Sequence, residues 1–312
     1  MEFDLIERYF KPLSLTTRPG DLAIGDDGAL FTPPADHQLV VVTDTLVSGV
    51  HFLAYADPYD IGWKALAVNL SDLAAMGAEP GFYSLALTLP EDNSTWLALF
   101  AQGLKDCAQA SQIPLIGGDT TRGPLTVTVC AQGWVPRGQA LLRKGAQVGD
   151  DIYVSGYIGD AGAGLQLAKD RVFPLTAEQQ VLVDKLNRPQ PRIELGRALR
   201  GMANSAIDIS DGLLADLQHV LQASEVGAEL VLNDIPLRDL VKVWGGKDRF
   251  KPLRAGDDYE LCFTASPEQR VKIEQVASRL NLGLYRIGKV VQSPGLVIDG
   301  VPQTQGLGYQ HF

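Results

Sequence analysis

Apolar runs that break off in aspartate recur along the whole chain. Leu39-Val40-Val41-Val42-Thr43 leads into Asp44, and Leu115-Ile116-Gly117-Gly118 into Asp119. Ala206-Ile207 leads into Asp208-Ile209-Ser210-Asp211-Gly212, and Ala255-Gly256 into Asp257-Asp258. A short apolar run bounded by turn residues reads as a strand. In layered α/β structures the tips of neighbouring strands gather along one edge, where ligands bind. The pattern therefore restricts the chain to layered strands and helices with acids at the strand tips. Gly25-Asp26-Asp27-Gly28-Ala29 is its densest instance. Adjacent carboxylates repel unless a cation or donor sits against them, and flanking glycines let backbone approach a ligand closely. Asp is also a common turn residue, so the pair alone decides nothing.

The rest of the chain supports that layering. Apolar spacing predicts a short helix over 2–10, followed by a glycine-bearing loop from Thr16 to Asp27. Gln38–Thr43 reads as a buried strand ending at Asp44. A helix opens at Asp60, with Trp63, Leu66, Leu70 and Leu73 on one face, and stops near Gly77, with Pro80 close behind. Asn69 and Asp72 are three apart on it and share a face. Strand Phe82–Leu89, helix Asn93–Ser111, a short strand Pro114–Ile116 and a long strand Leu125–Val135 follow. Gly133–Gly149, polar and basic at Arg137, Arg143 and Lys144, reads as a boundary. It separates a unit of residues 1–137 from one of residues 148–312.

The second unit opens with strand Asp151–Ser155 and a glycine-rich turn, Gly156 to Gly164. Helices around Leu165–Lys169 and Thr176–Leu186 precede the stiff connector Arg188-Pro189-Gln190-Pro191-Arg192. Strand Ala206–Ile209 leads to a helix through Leu221, which Ser210 or Asp211 is placed to cap. Glu229–Leu232, Tyr259–Thr264 and Leu284–Val290 read as strands, and Pro267–Leu280 as a helix. A chain of 312 residues fits about two domains, and 46% apolar with 21% charged residues describes a folded globular protein.

A formal charge of −10 argues against a nucleic-acid partner, because phosphate backbones are held by clustered Lys and Arg. Cys107, Cys130 and Cys262 are odd in number and widely spaced, which fits reduced thiols in the cytosol. No signal-peptide core and no apolar run of about 18 residues is present, so the expectation is a soluble, cytoplasmic protein. The phosphate-binding glycine loop with its Lys-Ser/Thr is missing, as is the protein-kinase motif set. Gly156, Gly159, Gly162 and Gly164 do not meet the dinucleotide spacing. With four histidines and three cysteines, structural zinc is not expected. Many aspartates with few Cys or His point to a hard divalent cation, and Mg²⁺ commonly bridges one or two carboxylates to substrate phosphates.

Taken together these residues resemble the thiamine-monophosphate kinase branch of the aminoimidazole-ribonucleotide-synthetase-like superfamily. The motifs that carry the resemblance are Gly25-Asp26-Asp27, Thr43-Asp44-Thr45-Leu46 with His51-Phe52, and Asn69 to Ala78. Gly117 to Thr121, Asp208 to Leu213, Gly256 to Leu261, Arg188-Pro189 and Gly308-Tyr309 continue it in order. The resemblance implies an α/β (α+β), two-domain PurM-like fold, with N-terminal sheets that join into a β-barrel across a homodimer. It implies phosphorylation of thiamine monophosphate by ATP in one direct transfer, with ATP and several Mg²⁺ between the domains. Carried over by position, Asp27, Thr43, Asp44, Asp72, Asp119, Asp208 and Asp211 are Mg²⁺ ligands, with the carbonyl of Val42 adding another. Gly118, Asp119, Arg143 and Ser210 are ATP contacts, and His51, Asp257 and Tyr309 hold the substrate. Asp119, Asp44 and Asp211 form the catalytic set.

Two positions depart from the pattern. Asp257 stands where Glu is more familiar, and the helix Asn93–Ser111 offers no aromatic near Gln102 to meet adenine. In the reaction the resemblance implies, the nucleophile would be the substrate's own phosphate, so no side-chain base is expected, and positioning with charge neutralisation would carry the reaction. Two rivals stay open from sequence. One is another synthetase of the superfamily, although a selenophosphate synthetase wants a cysteine near the N-terminus and the first here is Cys107. The other is a Mg²⁺-dependent nucleotide sensor without turnover.

Overall fold

Leu66, Leu70 and Leu73 repeat at helical spacing on α1 (Pro58–Ala75), and all three are wholly buried. Burying each such side chain contributes about 1.5–3 kcal/mol. A computed structural model of the chain describes residues 5–14 and 21–309. The chain divides into two compact units. One runs to Leu73 and resumes over Ala78–Gly138, and the other takes Ala74–Gly77 and the chain from Gln139 onward. The helix expected over 2–10 is seen as a short helical segment, Ile6–Phe10; residues 2–4 lie outside the described residues, as does the 16–20 part of the expected loop.

In the first unit β1 (His37–Val47), β2 (Glu79–Leu89), β3 (Leu115–Arg122) and β4 (Thr126–Pro136) form a four-stranded sheet in the order β1-β4-β2-β3. Only β2 and β3 run parallel. Along β4, Val127, Val129, Ala131 and Val135 are buried while Thr128, Cys130, Gln132 and Trp134 face the other way, half-exposed. Helices α1 and α2 (Ser94–Ser111) cross closely because glycine replaces bulk at the contact. A Cβ on Gly62 would meet the carbonyl of Phe100, and one on Gly103 that of Tyr59. The stop at Gly77 is as expected. Its φ is +66°, the Ala78 N–H donates to the Leu73 carbonyl at 2.8 Å, and the Gly77 N–H to that of Ala74 at 2.9 Å.

Two sequence expectations need correction here. The strand read as buried and ending at Asp44 instead runs through Asp44 to Val47, and Leu39 and Val41 are 51% and 57% exposed. β1 is an edge strand paired only with β4, and its valine run alternates between a buried and an uncovered face. The short strand expected over Pro114–Ile116 extends as β3 to Arg122. Gly117-Gly118-Asp119 therefore lies inside the strand, with Asp119 opposite Ala86 of β2.

The second unit is built on a seven-stranded mixed sheet. Its strands are β5 (Asp151–Ser155), β6 (Ser205–Asp208), β7 (Gly227–Leu230), β8 (Leu261–Ala265), β9 (Leu284–Val291), β10 (Gly295–Ile298) and β11 (Val301–Gln303), in the order β11-β10-β7-β9-β5-β8-β6. Its helices are α3 (Asp160–Lys169), α4 (Ala177–Asn187), α5 (Ile193–Leu199), α6 (Leu213–Ser224), α7 (Asp239–Gly245) and α8 (Arg270–Leu280). The expected glycine-rich turn is half helix, since α3 already begins at Asp160. A Cβ on Gly164 would sit 2.2 Å from the Leu182 carbonyl oxygen, so this glycine permits the α3–α4 contact. No described helix is long and apolar enough to cross a membrane.

Candidate active site

In the first unit the Gly25–Ala29 loop and the Gly117–Thr120 stretch of β3 line the same cavity of about 760 Å³. The loop is closed at its neck by a reciprocal pair of bonds between Leu22 and Leu30, at 2.9 and 2.8 Å. Ser14 Oγ accepts the Ile24 N–H at 3.2 Å. Asp26 Oδ1 accepts the Asp27 N–H at 2.9 Å, which orders the turn, and both carboxyls are exposed. Across the cavity Gly118 presses against β2. A Cβ there would lie 1.8 Å from the Leu85 carbonyl oxygen, so only glycine lets the β3 backbone take this path. The lining joins these acids and glycines to apolar Ile6, Phe10, Ile24 and Ile116 and to the charged pair Glu7 and Lys11.

A second acidic locus lies where β1 meets α1. The Asp44 and Asp72 carboxyls are hydrogen-bonded to each other. Burial pushes the Asp44 carboxyl up from its ordinary value, and the bond to Asp72 acts in the opposite direction. Asn69, wholly buried, ties the strand to the helix: its Oδ1 accepts the Asp44 N–H at 3.1 Å and its Nδ2 donates to the Ala65 carbonyl at 3.1 Å. The shared face expected for Asn69 and Asp72 is therefore the face turned to Asp44. Val42 and Thr43 precede Asp44 on β1, opposite Ala131 and Cys130. In the tight turn after β1, His51 Nδ1 accepts the Val47 N–H at 3.0 Å, which puts the neutral ring's proton on Nε2.

In the second unit three separate motifs meet around Ser210 and Asp211. Beyond β6 the backbone pairing continues: the Asp257 N–H donates to Ser210 O and the Tyr259 N–H to Ile209 O, both at 2.8 Å. The Tyr309 N–H donates to Asp211 O at 3.0 Å, and Gly308 lies so close that a Cβ would fall 2.5 Å from the same oxygen. Asp257 has φ +70°, and its Oδ1 accepts from Tyr259 Oη at 3.2 Å. Asp208 closes β6 and is buried. Asp257, Tyr309, Ser210 and Asp211 are thus neighbours. Arg143 stands apart from them: its carbonyl accepts from Ser224 Oγ at 3.4 Å, at the far end of α6, roughly 18 Å along the helix.

Family models for the AIR synthase related protein match residues 25–135 (N-terminal domain) and 147–300 (C-terminal domain). The thiamine-monophosphate kinase of Haemophilus influenzae is 43% identical over 322 residues, covering 100% of this chain and 98% of that protein. Among solved structures, the thiamine-monophosphate kinase of Stenotrophomonas maltophilia superposes with a TM-score of 0.89 at 48% identity, covering 96% of each chain. The chain belongs to the thiamine-monophosphate kinase family. A structure of AaThiL complexed with AMPPCP and TMP matches with a TM-score of 0.80 at 32% identity, covering 100% of this chain and 97% of that one.

Family membership implies Mg²⁺, and the donor set fits it. Asp44 and Asp72 bring two carboxyl groups together at one partly buried locus, and a divalent cation is the natural compensation for two carboxylates so placed. Among the described residues no three His, Cys, Asp or Glu side chains form a ready-made cage. Pairs of carboxylates suit Mg²⁺, which completes its shell with waters and substrate phosphates.

Sequence reading missed how the kinase family's acidic motifs divide their labour. Of the acids in Gly256–Leu261, Asp257 is the one bonded to Ser210. Asp258, buried, accepts the N–H groups of Gly159 at 2.7 Å and Ala161 at 3.3 Å, holding the start of α3. Burial pushes its carboxyl well above the ordinary range. Glu260, also buried, grips Arg192 of the proline-flanked connector (Nε to Oε2, 2.6 Å) and accepts from Ser155 Oγ at 2.6 Å. The expected cap of α6 is corrected as well. The N-cap is Gly212, with no side-chain cap bond, and the acid that serves the turn is Asp216. Burial, with Asp208 and Asp211 adding their charge, pushes Asp216 up to about 8. The available signal was its position: Asp216 falls at helical spacing among buried Leu213, Leu217 and Val220.

Proposed function

We infer that this chain is an ATP-dependent kinase that phosphorylates thiamine monophosphate, giving thiamine diphosphate and ADP. The observation that carries the reading is one cavity lined by both Asp26-Asp27 and Gly118-Asp119, together with apolar side chains. Metal-bound phosphates suit the acids, and a purine base suits Ile6, Phe10 and Ile116. In this reading the base-packing aromatic is Phe10 of the N-terminal segment. On α2, Phe100 is instead buried and stacked on Trp96.

In this reading Asp27, Asp44, Asp72 and Asp119, with Thr43 and the Val42 carbonyl, hold Mg²⁺ in the first unit, and Asp208 and Asp211 do so in the second. Bound there, Mg²⁺ neutralises phosphate charge in the transition state. Gly118, Asp119 and Ser210 contact ATP, and Arg143 contributes a cation to it. Asp119, Asp44 and Asp211 form the catalytic set. His51, through Nε2–H, and Asp257 and Tyr309 hold thiamine monophosphate, whose phosphate is the nucleophile. No protein base takes part. Residues 1–137 form the nucleotide, metal and dimerisation domain, and 148–312 the second domain.

The test is purified protein with MgATP and thiamine monophosphate. One ADP per thiamine diphosphate, with inversion at a chirally labelled γ-phosphorus, is expected for direct in-line transfer. Turnover of a ribonucleotide amidine with none of thiamine monophosphate would sink this reading in favour of a synthetase.

We place the enzyme in the cytoplasm, in keeping with the free thiols of Cys107, Cys130 and Cys262. It is also read as a homodimer. The uncovered sheet face of the first unit presents Leu39, Val41 and half-exposed Trp134, an unusual concentration of apolar side chains for solvent. The same face of a second copy is the complementary cover, and two such sheets joined at their β1 edges make a barrel. Val41→Lys is expected to shift the sedimentation profile from dimer to monomer. An unchanged profile would exclude this face.

A further inference from the structure

We propose that Asp216 is a positioning residue whose carboxylate sets the Ser210-Asp211-Gly212 turn for metal and nucleotide binding. The inference rests on the reading above, in which this turn serves Mg²⁺ and ATP. Asp216 lies in the first turn of α6 and is 3% exposed. Its Oδ2 accepts three successive backbone N–H groups, from Ser210 at 3.0 Å, Asp211 at 3.0 Å and Gly212 at 3.1 Å.

An ordinary capping acid satisfies the helix's own first N–H groups or that of the N-cap. Only the Gly212 bond has that character. The other two donors lie upstream of the helix, beyond the end of β6 at Asp208, where no strand supplies an acceptor. The carbonyls of the same two residues are also engaged. Ser210 O accepts from Asp257 and Asp211 O from Tyr309. One buried oxygen therefore fixes the N–H side of a turn whose carbonyl side meets both proposed substrate segments.

The arrangement places a buried carboxylate close to Asp208 and Asp211, which adds repulsion to desolvation. Three hydrogen bonds converging on one side-chain oxygen restrain the turn tightly. The turn has little alternative. Gly212 has φ +119°, and a Cβ there would approach the Arg254 carbonyl carbon to 2.8 Å. Without Asp216 three N–H groups lose their acceptor together, and Asp211 loses its fixed direction.

The test compares Asp216→Ala, Asp216→Asn and Asp211→Asn in the full-length protein. Read-outs are initial rates against free Mg²⁺ at saturating ATP, the KM for thiamine monophosphate and Tm. Asp216→Ala is expected to raise the half-saturating Mg²⁺ at least tenfold. Asp216→Asn retains an acceptor oxygen at the same place and is expected to stay within about threefold of the unmodified protein. A purely structural residue would lower Tm and the active fraction but leave half-saturating Mg²⁺ unchanged. That result, or an Asn variant no better than Ala, overturns the proposal. If Asp211→Asn shifts the Mg²⁺ response and Asp216→Ala does not, only the positioning role falls. If neither shifts it, the metal reading of the turn falls as well. Should the alanine variant not fold, Asp216→Ser, tolerated in a first helical turn but too short to reach upstream, is read in its place by the same outcomes.

Discussion

Asp72→Asn is expected to lower kcat by about 10³-fold while leaving the fold intact or slightly more stable. The two halves of that expectation have one cause. Asp72 and Asp44 hydrogen-bond to each other, and burial already disfavours charge on Asp44. An amide of the same shape can donate to Asp44, so the metal-free fold keeps a bond and loses an acidic neighbour. In the proposed reading Mg²⁺ binding needs the opposite, two anionic oxygens at one locus. A 10³-fold loss corresponds to about 4 kcal/mol of transition-state stabilisation, the scale on which a preorganised electrostatic group acts. Steady-state rates over a Mg²⁺ series, with calorimetry in parallel, decide it. A kcat within threefold of the unmodified protein would make Asp72 a structural acid only.

Gly118→Ala is expected to act on both stability and nucleotide binding. The added methyl would fall 1.8 Å from the Leu85 carbonyl oxygen and 2.7 Å from its carbon. These are backbone atoms of the central part of β2, whose other edge is paired with β4, so the neighbour cannot swing away. The strands must separate, and overpacking of this kind costs about 3 kcal/mol. That is roughly 10 °C in Tm for a unit of this size. Asp119 follows directly and lines the cavity with Asp26 and Asp27, so the KM for ATP is expected to rise more than tenfold. A variant with unchanged Tm and unchanged KM for ATP would show that β3 has room the close contact denies.

Much of the architecture was legible because it depends on local chemistry. The apolar repeat of α1, its stop at Gly77 and the alternation of β4 follow from side-chain periodicity and glycine's access to positive φ. Strand ends were less legible. β1 and β3 run on through Asp44 and Asp119 because ladder bonds from β4 and β2 hold polar residues in strand conformation. Propensity read along one chain cannot register a neighbour's hydrogen bonds.

The candidate site divides in the same way. Sequence by itself supplied the candidate residue types: short acids beside glycine, suited to a hard cation and phosphates, in an order matching the kinase family. It also singled out Asn69 with Asp72, through helical spacing. Tertiary structure decided which acids keep company. It set the Gly25–Ala29 loop and the Gly117–Thr120 stretch on one cavity, and brought Asp257 and Tyr309 to Ser210 and Asp211. It also withdrew Asp258 and Glu260 to structural bonds with α3 and Arg192. The physical reason is that an aspartate's role depends on what it faces. Facing is fixed by contacts between residues far apart in the chain, such as Asp44 with Asp72 and Asp211 with Tyr309.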